Sequence, residues 1–350
     1  MSPKRKEQEE IKLENGFIQT GSTLLNLALS DNAFGGYPFG KIINLIGDSS
    51  AGKSMLALTM LAELCQDKRF DDYELIYDDT EVALEFNVSK LFGKRVSERI
   101  RRDINSRTIQ QWYGNHLRMM ADNKPFVYIT DSFDGLSSEE EKKRGDEIVK
   151  KVLSNETEDI KGSFKSEKAK WASEAFRNFA EGVEKTNSLS LIISQTRDSL
   201  NVMYGPKKTK SGGRALEFWS SHEIWLSKES SIKAKTRNSH TLGQNIIAKV
   251  KKNKYTGKLR EISFPVYYDY GVDDIKSCIN FLVDNKFWGK KGGGYILADG
   301  ISEEQMREDD LISFIEEKGL EPKLKELTAN LWKQIEDEIS IKRKPKYIDL

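Results

Sequence analysis

The sequence predicts an α/β fold: a mostly parallel central sheet with helices on both faces, an antiparallel extension, and a small C-terminal domain. Three observations predict it. Short apolar runs alternate with helix-periodic stretches through the first half of the chain, the pattern of a parallel sheet with crossover helices. After Gln195 the apolar runs follow each other with short connections, as antiparallel neighbours do. From about Asp273 onward helical patterns take over.

Lys41–Gly47 (KIINLIG), Tyr73–Asp79 (YELIYDD), Pro125–Ser132 (PFVYITDS) and Leu189–Thr196 (LSLIISQT) each read as a strand buried on both faces. Between them, Ser54–Gln66 and Ser166–Lys185 are predicted helices. The second places Trp171, Ala175, Phe179 and Val183 four residues apart on one face. His222–Ser227, Asn245–Lys254 and Leu259–Tyr268 supply the antiparallel strands, and Asp309–Gly319 and Lys323–Ile339 the C-terminal helices. The chain thus divides into a polar segment 1–16, an α/β core 17–272, a small α-rich domain 273–340 and a basic tail 341–350. The two ends carry charge without an apolar pattern, too little to offset chain entropy.

Composition narrows the function. Lys+Arg 56 against Asp+Glu 55 leaves a net charge of +1, so any nucleic-acid surface must be local. Two cysteines, Cys65 and Cys278, form neither a disulfide framework nor a metal knuckle and fit a reducing compartment. There is no apolar run near 18 residues, and the opening MSPKRKEQEE lacks the apolar stretch of a signal peptide. The expectation is a cytoplasmic protein with no membrane partner.

Between the first strand and the first helix, Gly47, Asp48, Ser49, Ser50, Ala51, Gly52, Lys53 and Ser54 match GxxxxGK[ST]. Glycines at those places let backbone N–H groups curl around phosphates. Lys53 neutralises the β and γ oxygens, and Ser54 can hold Mg²⁺. These residues predict a triphosphate with magnesium. A metal-side carboxylate at the end of a neighbouring buried strand is also needed, and Asp131 stands there; alone, it could equally cap a helix. Hydrolysis further requires a group that activates water. Glu81, in YDDTEVALE at the end of another strand, is the candidate.

Beyond the phosphate loop, TEVALE, ITDS, IISQTR, NVMYG, SGGRALEFW and KVKKNK occur in the order and approximate spacing of the bacterial RecA recombinase family. From about Phe17 to Tyr270 the chain resembles that family, as a divergent member of the kind phages carry. The resemblance implies a RecA-like P-loop NTPase core, ATP as the triphosphate, a DNA-dependent ATPase, filament formation on single-stranded DNA and pairing with a homologous duplex. It also implies roles. Glu81 matches the catalytic glutamate, Asp131 the Walker B aspartate, and Gln195 the glutamine that senses the γ-phosphate and signals into the next loop. Lys252 and Lys254 match a lysine pair that reaches the nucleotide of a neighbouring protomer, so turnover depends on self-association into a helical filament.

DNA is expected at Arg197–Leu216. Arg197, Lys207, Lys208, Lys210 and Arg214 bring charge, and Gly212 and Gly213 let backbone N–H groups approach phosphates. Met203 and Tyr204 can wedge between or stack on bases. The segment resembles the family's second DNA-binding loop, and it contains no base-edge reader.

Three departures from the family pattern stand out. Gly135 to about Lys165 is long and charged, with a helical turn expected at Asp146–Leu153. Only some fifteen polar residues precede Gly16, where the family has a helix and a strand that pack on the next protomer. An ungapped count puts Val88 where the family carries an adenine-stacking aromatic, with Phe86 as the substitute. Ile279–Leu297 loosely resembles the family's terminal domain, whose suggested role is duplex binding. A helicase or helicase loader on the same core, and an ATP-gated single-strand annealing mediator, are the alternative readings.

Overall fold

The computed structural model describes residues 16–82, 84, 87–154, 166–198, 208–210, 213–234 and 240–343. The first part runs β1 (Phe17–Ile18), α1 (Thr23–Ser30), β2 (Tyr37–Pro38), β3 (Lys41–Gly47) and α2 (Lys53–Gln66). Then come β4 (Glu74–Asp79), α3 (Val88–Phe92), α4 (Lys94–Arg99), β5 (Ile100–Arg101), α5 (Ile109–Ala121) and β6 (Phe126–Asp131). They are followed by α6 (Glu139–Leu153), α7 (Ser166–Lys185), β7 (Leu189–Asp198), β8 (Lys208–Lys210) and α8 (Gly213–Trp219). The strands β9 (His222–Lys233), β10 (Thr241–Asn253), β11 (Glu261–Tyr267) and β12 (Gly271–Val272) complete the core.

Among the described residues, one sheet has the order β12-β11-β10-β9-β3-β7-β6-β4-β5, with β8 attached to β7. From β9 to β5 every neighbouring pair is parallel, and β9-β10, β10-β11 and β11-β12 are antiparallel. The antiparallel part therefore begins one strand later than expected. α8 returns the chain to the starting edge, so β9 enters alongside β3 in the same direction.

Period-two alternation distributes the strand residues between two cores. Ile43, Leu45, Val127, Ile129, Leu191 and Ile193 face α2 and its Leu56, Leu58 and Leu61. Ile42, Phe126, Tyr128 and Ile192 face α5 and α7. On α7, Ala175, Phe179 and Val183 are fully buried as their spacing predicts, while Trp171 is half-buried and Ala172 and Phe176 widen the stripe. Trp112 of α5 packs edge-on to Phe176 and Phe179 and donates its indole N–H to Thr130 Oγ1 at 2.8 Å.

The C-terminal part builds a third core from α9 (Asp274–Asp284), β13 (Gly289–Lys291), β14 (Tyr295–Leu297), β15 (Gln305–Arg307), α10 (Glu308–Lys318) and α11 (Glu321–Ile339). The small antiparallel sheet of β13, β14 and β15 lies within a stretch expected to be helical. Strands of three residues are too short to display a period. This part is tied to the core by Asp274, which accepts from Thr23 N at 2.6 Å, and by Glu336, which meets Arg260 Nε at 2.9 Å. No helix among the described residues is long and apolar enough to cross a membrane.

Candidate functional site

Parallel registry places several functional side chains on one rim. Gly47 lies opposite Gln195, and Asp79 opposite Asp131, so the carboxyl ends of β3, β4, β6 and β7 open onto one crevice. The phosphate loop runs from Gly47 into α2, with Gly52 at φ 79° as N-cap. Gly47 has no room for a side chain, because a Cβ there would lie 2.5 Å from the Leu226 carbonyl oxygen. The Lys53 ammonium donates to the carbonyls of Gly47 (3.0 Å) and Asp48 (2.7 Å), inside the curl of the loop. Burial draws Lys53 below its ordinary pKa range, against Asp131, Glu81, Asp48 and Asp134, which favour its charge.

Ser54 Oγ donates to Asp131 Oδ2 at 2.6 Å, and the Tyr77 hydroxyl donates to the same carboxylate oxygen. Burial pushes the Asp131 carboxyl up, the hydrogen bonds from Ser54 and Tyr77 oppose this, and Glu81 adds to it. A hydroxyl and a carboxylate held side by side next to a phosphate loop fit Mg²⁺, which takes few protein oxygens and completes its shell with phosphate and water.

Glu81 is fixed by two donors. Gln195 Nε2 reaches its Oε1 at 2.9 Å, and Ser132 Oγ donates to the same oxygen. The Gln195 backbone N–H bonds Asp134 Oδ2 at 2.8 Å, Asp134 also pairs with Arg197 at 3.2 Å, and Thr196 Oγ1 donates to Asp48 of the phosphate loop. Gln195 therefore connects the Glu81 carboxylate to the strand that leads into the 198–208 segment.

The expected DNA-binding residues divide. Met203, Tyr204, Lys207 and Gly212 lie outside the described residues, as do the side chains of Lys208 and Ser211. Gly213 (φ 65°) and exposed Arg214 open α8. Lys210 differs from expectation: it is largely buried, paired with Glu223 and lying 3.5 Å from Glu217, so its charge is already compensated within the protein.

Lys252 and Lys254 occupy the opposite end of the sheet from the phosphate loop. Gln244 Nε2 on β10 donates to Ser50 O at 2.7 Å, and Lys252 is eight residues further on, roughly 25 Å at about 3.3 Å per residue. Lys252 donates to Glu217 O and to Phe218 O (3.3 Å), and Lys254 to Phe218 O (3.0 Å). Both thus cap the C-terminal carbonyls of α8. Burial, then the neighbouring Lys254, draws Lys252 below its usual range.

Sequence reasoning missed Tyr77, Ser132, Gln244 and Tyr268. Tyr77 is hidden in an apolar run, and Gln244 belongs to a strand far away in sequence. Beside the phosphate loop a cleft of about 400 Å³ is lined by Ser50–Met55, Gln244, Val266 and half-exposed Tyr268. Val88 is buried in the core at the start of α3, while Phe86 lies outside the described residues.

A family profile described as the RecA N-terminal domain matches residues 4–103 and 148–273. Asp131 falls between the two matched stretches, so its placement rests on the contacts above. The chain is 27% identical to Protein RecA of Chlamydia trachomatis serovar L2 over 296 residues, 83% of this chain and 77% of that protein. It is also 27% identical to Protein RecA of Caulobacter vibrioides over 288 residues, 82% and 73% of the two chains. Protein RecA of Fusobacterium nucleatum subsp. nucleatum matches at 27% over 287 residues, 81% and 68%. With more than half of its length matched by the profile, the chain belongs to the RecA family.

Proposed function

We propose that this protein is an ATP-dependent recombinase that assembles on single-stranded DNA and pairs it with a homologous duplex. One observation supports this most: Gln195 hydrogen-bonds the Glu81 carboxylate and begins the segment that leads to Lys207, Lys208 and Arg214. A side chain placed between a water-activating carboxylate and a DNA-contacting segment responds to both ligands.

The division of labour follows from the contacts. Gly47–Ser54 cradle the phosphates, with Lys53 leaving its two carbonyls to neutralise the β and γ oxygens. Ser54 and Asp131 would hold Mg²⁺, which would supply charge stabilisation for the leaving phosphates. Glu81 accepts a proton from the attacking water, and Ser132 and Gln195 fix its direction. Tyr268 borders the base. Lys252 and Lys254, roughly 25 Å from their own loop, serve a neighbour's nucleotide, which makes hydrolysis depend on assembly. Electron microscopy of the full chain with single-stranded DNA and a slowly hydrolysed ATP analogue tests this. Regular helical filaments are expected, and discrete rings or unassembled protein under saturating ligand contradict it.

A further inference from the structure

The proposed function leaves Lys210 unused. It stands at the end of a basic segment, where a phosphate contact is the simple expectation, yet its side chain is only 12% exposed and its partner Glu223 only 8%. A second carboxylate, Glu217, lies 3.5 Å away, and Ser220 Oγ lies 3.5 Å from Glu223. The three charged groups come from three elements: Lys210 from β8, Glu217 from α8 and Glu223 from β9. A buried pair of this kind contributes little net stability, but it fixes geometry because losing one partner leaves an uncompensated charge.

What the triad fixes is α8. This helix has only seven residues, and its last carbonyls, Glu217 O and Phe218 O, receive the ammonium groups of Lys252 and Lys254. Lys252 is also the cross-strand partner of Glu223 in the β9-β10 ladder. One end of the arrangement is therefore the close of the DNA-facing segment, and the other is the lysine pair. We propose that Lys210, Glu217 and Glu223 form a positioning latch that couples DNA engagement to the placement of Lys252 and Lys254, with Lys210 making no contact to DNA. When a strand engages the basic segment, β8 shifts, the triad carries α8 with it, and the lysines change their hold on its carbonyls. This inference rests on the recombinase reading.

The test uses the full chain and measures ATP turnover with and without single-stranded DNA, KM for ATP, and the dependence of DNA affinity on salt. Lys210→Gln, Glu223→Gln and the double variant are each expected to lower DNA-stimulated kcat about tenfold, the range of a coupling residue. KM, DNA-free turnover and the salt slope should stay at parental values. The double variant should be no worse than either single, since both remove one interaction, and Lys210→Arg should keep more than half of the stimulation. The double variant leaves no unpaired buried charge, so it decides the matter even where a single variant fails to fold. Parental stimulation in the double variant overturns the latch alone. So does a fall of about 0.7 in the salt slope on Lys210→Gln, the signature of one lost phosphate contact on a single strand. A parent chain with no DNA stimulation overturns both the latch and the reading it rests on.

Discussion

Two donors, Ser132 and Gln195, converge on a single oxygen of Glu81, and the proposed hydrolysis turns on that contact. Glu81→Gln keeps the shape and a hydrogen bond while removing the proposed base. It should bind ATP normally, lose on the order of 10²-fold or more in turnover, and dissociate from DNA slowly; parental hydrolysis with DNA present would remove Glu81 from the mechanism. Lys53→Ala should instead abolish nucleotide binding, read directly by titration calorimetry. The positions of both residues were legible in the sequence because a phosphate loop and a carboxylate at a strand end have fixed places relative to a buried strand. Tyr77 was not, because a tyrosine inside YELIYDD looks like core and its hydroxyl acquires a role only when β4 and β6 lie side by side. The pairing of Lys210 was hidden for a related reason. Basic composition indicates charge, and only the fold reveals that Glu223 already balances it.

The strands of the core were readable as elements because burial on both faces produces uninterrupted apolar runs, and Lys41–Gly47 has the same bounds in sequence and structure. α6 was foreseen only as a turn at Asp146–Leu153, although it starts at Glu139 behind a capping box in which Ser138 and Glu141 satisfy each other's backbone N–H groups. That signal was present in SSEEE, and the surrounding charge obscured it. Two expectations belong to this scale. Because Lys252 is separated from its own phosphate loop by most of β10, Lys252→Ala should lose DNA-stimulated hydrolysis and recover part of it when mixed with Glu81→Gln, each subunit lending its intact half. No recovery in mixed filaments would place Lys252 within its own subunit's site. Neutralising Lys207 and Lys208 together should lower the slope of log affinity against log salt by about 1.4 on single-stranded DNA, two contacts at roughly 0.7 each, with little dependence on base sequence. An unchanged slope would move the DNA surface elsewhere.

For the whole molecule, the two cores on opposite faces of the sheet contain histidines that respond to acid. His116 lies under Tyr128 and Phe179, and His222 begins β9; burial lowers both from 6.5 to about 4. With the folded value depressed, the unfolded chain binds protons first as pH falls. Stability is therefore complete above about pH 6.5, declines between 6.5 and 4, and levels off below. Urea unfolding should give a value lower by roughly 1 to 1.5 kcal/mol per histidine at pH 5.5 than at pH 7.5, and His116→Gln should remove about half of that difference. Under the proposed function, a nucleotide rim, a DNA-contacting segment and a lysine pair at the far end of one sheet would let ATP binding order a filament within which base pairing itself tests homology. Such a protein needs ATP binding more than hydrolysis. The most direct measurement is displacement-loop formation from a labelled single strand and supercoiled homologous DNA, with ATP, with a slowly hydrolysed analogue, and with no nucleotide. The account predicts displacement loops with ATP and with the analogue and none without nucleotide; annealing of complementary single strands with no displacement loop under any condition would contradict it.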